Sequence, residues 1–127
     1  MYQYKAHITS VYDGDGAFDA VVDLGMGIEY KRKIRLFGVD TPEMRGEQKV
    51  AGKIVRDFVR NLILDKDVII QTHYDKSGKY GRLLANIEVA EGDLADILIG
   101  EGYAKEYDGG TKEPWTESEL HAIAIRG

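Results

Sequence analysis

The sequence predicts an α+β fold that is mainly β, and three observations predict it. Five short segments either alternate apolar with polar residues or are rich in β-branched residues, as strands are. One longer segment, residues 47–64, repeats its apolar side chains at three- and four-residue intervals, which is the period of an amphipathic helix. Acid-glycine and glycine-rich turns separate the first strands. With 43% hydrophobic residues, residues 1–127 are expected to form a single domain.

The first three strands are predicted to form an antiparallel meander. Alternation over residues 4–11 indicates the first strand, and the Asp-Gly pairs of residues 13–16 indicate a tight turn. The second strand is predicted over 18–24 and the third over 28–39, with a glycine turn between them. The acidic turns therefore lie at the ends of these strands.

The rest of the chain alternates helices with the two remaining strands. The predicted elements are a helix over 47–64, a strand over 68–73, a basic hairpin loop over 75–82, a strand over 83–89, a helix over 94–99 and a last helix ending at 126. Thr116 and Glu119 form a capping-box pattern before the last helix. A helix between the third and fourth of five strands is typical of an OB-type Greek-key barrel, so we predict a five-stranded barrel with three helices.

Charge and composition restrict the function. The chain has no cysteine, which excludes disulfides, thiolate metal sites and cysteine nucleophiles. Its net charge of -5 argues against binding nucleic acid through bulk charge. The acidity is mostly C-terminal, because residues up to 85 carry 14 basic and 12 acidic side chains and later residues carry 3 and 10.

No segment indicates a membrane protein. Met1 leads into a polar, alternating stretch, and no apolar run is long enough to cross a bilayer. We therefore expect a cytoplasmic protein without a membrane partner, although a mature secreted chain would look the same. Nothing indicates an obligate protein partner, and a monomer is expected.

Residues 34–43 concentrate the chemistry, since a strand here runs into a turn that carries two carboxylates. Pro42 keeps Thr41 extended, which leaves the Thr41 carbonyl outside any helix. Asp15, Asp40 and that carbonyl are hard oxygen donors, and the three histidines are scattered, so calcium is the predicted metal. Taken alone, however, residues 13–16 also fit an ordinary hairpin turn.

Arg35 and Arg82 are candidate phosphate ligands, because a guanidinium offers two parallel donors to phosphate oxygens. Lysine at either position would keep the charge without this geometry, with little expected effect on stability. Glu43 is the candidate general base. Each assignment has a plainer alternative: a surface salt bridge or a solvated strand residue for each arginine, and a carboxylate in the first turn of a helix for Glu43.

Three blocks in register resemble the signatures of the staphylococcal nuclease (thermonuclease) family. They are VYDGD at 11–15, IRL with VDTPE within 34–43, and KYGRLLA at 79–85. GYAK at 102–105 resembles a later block of that family, and the resemblance extends from about residue 5 to residue 107. Three blocks in the same order are much more specific than any one of them.

The resemblance implies an OB-fold, calcium-dependent phosphodiesterase that cleaves single-stranded DNA and RNA at the 5′-oxygen and leaves 3′-phosphates. By this resemblance, Asp15 and Asp40 match the calcium carboxylates, and Thr41 matches the carbonyl ligand. Glu43 matches the general base or water-orienting group, and Arg35 and Arg82 match the phosphate-binding arginines. Lys79 and Tyr80 match groups that hold a neighbouring phosphate, and Tyr107 matches an aromatic beside the nucleotide. For Lys79, Tyr80 and Tyr107 the alternatives are a plain hairpin loop and ordinary core.

The sequence departs from the family pattern in ways that affect the metal and the substrate. Gly16 replaces the usual threonine beside the metal ligands, which predicts a looser turn, and the segment after Glu43 is short. The acidic balance contrasts with the basic family type. A catalytically silent OB-fold module that binds nucleic acid or protein is therefore the alternative function. An oligosaccharide-binding barrel is less favoured, because the tyrosines are spread through the chain.

Overall fold

The computed structural model describes residues 2–73 and 82–127. The long strands are β1 (Gln3–Val11), β2 (Phe18–Asp23), β3 (Glu29–Leu36), β5 (Asp67–His73) and β6 (Arg82–Val89), and the two-residue strands are β4 (Val39–Asp40), β7 (Gly92–Asp93) and β8 (Lys105–Glu106). The helices are α1 (Lys49–Ile63), α2 (Leu94–Gly100) and α3 (Glu117–Ala124), with a 3-10 turn at Gly46–Gln48 before α1.

The five long strands close into a mixed barrel. β1 lies between β2 and β5, β3 pairs with β2, and β6 pairs with β5, all antiparallel. A parallel pairing of β3 with β6, which places Ile34 opposite Leu83, closes the circle. Side chains that alternate inward along these strands fill the core. Phe18, Ile8, Ile34, Leu36, Ile70 and Ile87 are among its fully buried members. The predicted OB-fold is confirmed.

Helix α1 covers one side of the barrel with a narrow stripe of small and branched residues. Ala51, Val55, Val59 and Ile63 are buried at four-residue spacing, as the sequence period predicts. The three- and four-residue apolar period of residues 47–64 also includes Val50, but that prediction is wrong for Val50, because its side chain is exposed. The helix also begins two residues later than predicted, after the 3-10 turn.

The predicted third strand is too long, and the difference positions the site. β3 ends at Leu36, and Gly38 then adopts a φ of +86°, a conformation that favours glycine and redirects the chain. The separate strand β4 pairs with β8 instead of continuing the barrel, with Asp40 opposite Lys105. The segment after β8 is thereby brought beside Asp40.

The remaining elements agree with the sequence. Strands β5 and β6 match within one residue, and α3 has the predicted capping box between Thr116 and Glu119, although it ends at Ala124. The predicted hairpin loop at 75–82, with Lys79 and Tyr80, lies outside the described residues except for Arg82. In the described ranges no helix has both the length and the apolar character needed to span a membrane.

Candidate active site

One cavity of about 370 Å³ contains most of the residues singled out in the sequence. The β1–β2 turn, strand β3, the β4 turn, the start of β6 and the segment before α3 all contribute to its lining. The predicted site residues that line it are Asp15, Arg35, Asp40, Thr41, Glu43 and Arg82. Segments far apart in sequence therefore meet here, as the predicted barrel requires.

Arg35 connects the two acidic turns. Its Nη1 donates to the backbone carbonyl of Asp15 at 2.8 Å, and its Nη2 donates to the carbonyl of Val39 at 3.2 Å. Nη1 also lies 3.4 Å from the Asp15 carboxylate, and both side chains are only 14% exposed. Arg35 is therefore mostly buried and ion-paired with Asp15, and it is not a solvated strand residue or part of an exposed surface ion pair.

The Asp15 carboxylate is held directly beside the β4 turn. Its Oδ2 accepts a hydrogen bond from the backbone N–H of Thr41 at 2.9 Å. This contact spans 26 positions of sequence and joins two of the three predicted metal ligands. The turn of residues 13–16 is therefore part of the cavity and not an isolated hairpin turn.

Asp13 is a cavity residue that the sequence reasoning did not single out. Its Oδ1 accepts hydrogen bonds from the backbone N–H groups of Asp15 and Gly16, at 3.2 and 2.7 Å. These bonds hold the turn that Gly16 was expected to loosen. Burial, followed by the neighbouring Asp15 charge, raises the pKa of Asp13 from 3.8 to about 6. The paired Asp-Gly pattern was the available signal, because it places two carboxylates two residues apart.

We predict that Asp13→Asn stabilises the calcium-free protein near neutral pH. Because its pKa is raised, Asp13 binds its proton more tightly in the folded state than in the unfolded state. The parent protein therefore has its full stability below about pH 4 and loses part of it as pH rises through about 6. Asparagine keeps an acceptor oxygen and does not ionise. Thermal unfolding in chelator should show a gain on the order of 1–3 kcal/mol at pH 7.5 that disappears by pH 4.

Asp65→Asn is the matched control for this prediction, because Asp65 is exposed and has a positive φ that asparagine also adopts. It should show no comparable dependence on pH. An equal effect of Asp13→Asn at both pH values would contradict the assigned cause.

Asp40 is the most enclosed carboxylate of the cavity, with the residue 6% exposed. The indole Nε1 of Trp115 donates to its Oδ2 at 3.2 Å, and the Nζ of Lys112 lies 3.2 Å from its Oδ1. Sequence reasoning missed both partners. No spacing rule connects Asp40 with a tryptophan 75 positions away, and the β4–β8 pairing that brings them together has only two residues on each side.

Glu43 lies in the segment between β4 and α1 and lines the cavity. Its backbone N–H donates to Gln48 Oε1 at 2.9 Å, and its carboxylate accepts from Arg45 Nε at 2.8 Å. Helix α1 has no acidic residue in its first turn, so Glu43 is not the helix-start carboxylate of the alternative interpretation. A Cβ on Gly52 would lie 2.3 Å from the Glu43 carbonyl oxygen, so α1 packs directly against this backbone.

Arg82 approaches the site from the start of β6, and Tyr107 approaches it from the residue after β8. Arg82 begins β6, pairs with Lys33 of β3 and lines the cavity. Tyr107 follows β8 and is half-buried. Its ring centroid lies 5.9 Å from the Arg35 guanidinium carbon. Tyr107 is therefore beside the site and not in the core.

The donor set fits a hard cation such as calcium. Asp15 and Asp40 supply carboxylate oxygens and Thr41 a backbone carbonyl, which are the ligand types that calcium prefers. Two further observations support this fit. Thr41 Oγ1 is buried without a hydrogen-bond partner among the residues that the structure describes, and a positive charge, the Lys112 ammonium, already contacts Asp40. Within residues 2–73 and 82–127, no group of three histidine, aspartate or glutamate side chains is arranged to hold a metal ion, so the fit depends on the two carboxylates and the Thr41 carbonyl.

A closed OB barrel whose cavity combines carboxylates with guanidinium groups defines a nuclease-like domain. The family model for staphylococcal nuclease homologues matches residues 33–124, and the chain belongs to this family. Among curated proteins, no sequence matches the chain significantly. The matched range includes Arg35, Asp40, Glu43 and Arg82 but begins after Asp15, whose place in the site depends on its contacts with Arg35 and Thr41.

Proposed function

We propose that the protein is a calcium-dependent nuclease that hydrolyses phosphodiester bonds of single-stranded DNA and RNA. The bond broken would be the one to the 5′-oxygen, which leaves 3′-phosphates. The observation that carries the proposal is the meeting of Asp15, Asp40, Arg35, Arg82 and Glu43 in one cavity.

The two arginines would hold the scissile phosphate and neutralise its charge. Arg35 is fixed by its bonds to the Asp15 and Val39 carbonyls, so its guanidinium is positioned before the substrate arrives. Arg82 begins a barrel strand and lines the same cavity. Donors that are already oriented toward developing charge stabilise a transition state at little reorganisation cost.

Glu43 would accept the proton of the attacking water. Its carboxylate is 44% exposed and its only hydrogen-bond partner within the described part of the chain is Arg45, an 84% exposed side chain that can move away. The backbone at Glu43 is meanwhile held by Gln48 and by the close approach of Gly52. The base is therefore fixed at its backbone while its carboxylate stays accessible to water.

Calcium would be held by the carboxylates of Asp15 and Asp40 and the carbonyl of Thr41, and when bound it supplies a hard positive charge beside the phosphate. The Thr41 N–H and the Trp115 indole keep the two carboxylates oriented. Substrate contacts from Tyr107, and from Lys79 and Tyr80 outside the described residues, would add to binding. With a net charge of -5, binding should depend on these local contacts more than on bulk attraction.

We predict that cleavage requires calcium and that magnesium supports it poorly. Magnesium demands tighter octahedral geometry and gives up its waters reluctantly, whereas the ligands proposed here come from the β1–β2 turn, the end of β4 and the residue after it. The test is cleavage of end-labelled single-stranded DNA in chelator, with calcium, and with magnesium, followed by end-group analysis. Full activity in chelator or with magnesium alone, or products that end in 5′-phosphates, would contradict this assignment.

A further inference from the structure

Lys112 lies in the segment between β8 and α3 and places its ammonium on the buried carboxylate of the site. Its Nζ is 3.2 Å from Asp40 Oδ1 and 5.5 Å from the ring centroid of Tyr107. The two side chains differ sharply in exposure, at 46% for Lys112 and 8% for Asp40. A buried carboxylate thus has a positive partner that can reach solvent by rotating its own side chain.

We propose that Lys112 is a built-in counter-ion of Asp40 that competes with calcium for Oδ1 and is displaced when calcium binds. The inference rests on the proposed function, because it takes Asp40 as a calcium ligand. It assigns Lys112 as a positioning residue that sets the calcium affinity of the site.

The physical reason begins with the cost of burying a charge. A carboxylate as enclosed as Asp40 is unfavourable without a positive partner, and the Lys112 ammonium supplies one in the calcium-free protein. Calcium binding must replace this contact, so part of its favourable interaction is offset by the loss of the ion pair. Removing the ammonium should therefore strengthen calcium binding.

The surrounding contacts allow this exchange without loss of the site. Lysine carries a compact charge on a flexible stem, so it can leave Oδ1 without moving the backbone. Trp115 Nε1 donates to Oδ2, the other oxygen, and would keep the carboxylate oriented when Lys112 leaves. Lys112 also lines the cavity that contains Arg35 and Arg82, so the displaced ammonium stays close to the substrate position.

Trp115 provides a direct report on the exchange. It is the only tryptophan in the chain, and its indole N–H contacts the carboxylate that calcium and Lys112 would share. Replacing a monovalent partner of Asp40 by a divalent ion changes the field at the indole. Calcium binding should therefore change Trp115 fluorescence in the absence of any nucleic acid.

The test is a calcium titration of the full chain without substrate, in which binding is measured by calorimetry and by Trp115 fluorescence. Lys112→Met and Lys112→Gln remove the charge with apolar and polar side chains, and each should lower the calcium Kd by about 2- to 5-fold, the effect of losing one partly exposed ion pair. Lys112→Arg keeps the charge and should bind calcium like the parent. Lys5→Met removes the same charge near the far end of β1 and should also behave like the parent.

The outcomes separate this inference from the proposed function. If every protein binds calcium with the same Kd, or if the methionine and glutamine variants bind more weakly, Lys112 does not compete, and the calcium site itself still stands. If none binds calcium, both the competition and the calcium-dependent function are overturned.

Discussion

Glu43→Gln is expected to lower single-turnover cleavage by about 10²- to 10⁴-fold, the usual contribution of a positioned acid-base group. The amide keeps the shape of the side chain but accepts no proton from water. Its backbone contacts, the bond to Gln48 and the packing of Gly52, are unchanged by the substitution. Affinity for a short single-stranded oligonucleotide in calcium should therefore change little, and so should the unfolding temperature.

The measurement compares single-turnover rates with equilibrium binding on the parent and the variant. Glu47→Gln is the matched control, because Glu47 is exposed on the neighbouring 3-10 turn and does not line the cavity. A variant that cleaves as fast as the parent would show that the base is another group. A parent that binds but never cleaves would favour the catalytically silent module instead.

Most of the barrel could be predicted from sequence because its signals are local. Alternation of apolar and polar residues indicates a strand, and a three- to four-residue apolar period indicates a helix. Both patterns are present in the sequence itself and do not depend on knowing the tertiary contacts. The end of β3 was misjudged for the same reason. Apolar character continues through Val39, and only the positive φ of Gly38 and the pairing of β4 with β8 show that a new strand has begun.

The site was predictable where its residues lie in blocks and unpredictable where they do not. Asp15, Arg35 and Asp40 belong to recognisable segments, and the structure brings them together. Lys112 and Trp115 lie in a segment whose sequence predicts only a turn and the N-terminal cap of a helix, yet both side chains contact Asp40. Their positions depend on the short β4–β8 pairing, a long-range contact without a sequence period.

The raised pKa of Asp13 could not be predicted from the sequence either. An Asp-Gly pair indicates a turn for backbone reasons, whether or not the carboxylate is buried. Only the fold shows that Asp13 is enclosed beside Asp15, which raises its pKa to about 6. A property that depends on burial by distant elements cannot be inferred from two neighbouring residues.

Arg35→Lys and Arg82→Lys are both expected to lower turnover, by about 10²-fold or more, because an ammonium cannot reproduce two parallel donors to phosphate oxygens. Their effects on stability should differ, which revises the sequence expectation that neither matters. Arg35 donates to two backbone carbonyls and contacts the Asp15 carboxylate, so its loss should cost about 1–3 kcal/mol. Arg82→Lys should keep the parental stability.

Cleavage rates and thermal unfolding of both variants, measured beside Arg126→Lys, test this pair of predictions. Arg126 follows α3, outside the cavity, and pairs with Glu101, so its substitution should leave turnover unchanged. Loss of turnover in Arg82→Lys without loss of stability would separate phosphate recognition from folding. If Arg35→Lys keeps both turnover and stability, the three contacts of Arg35 stabilise neither the turn that positions Asp15 nor the transition state. The phosphate-binding role must then be assigned to other cations of the cavity.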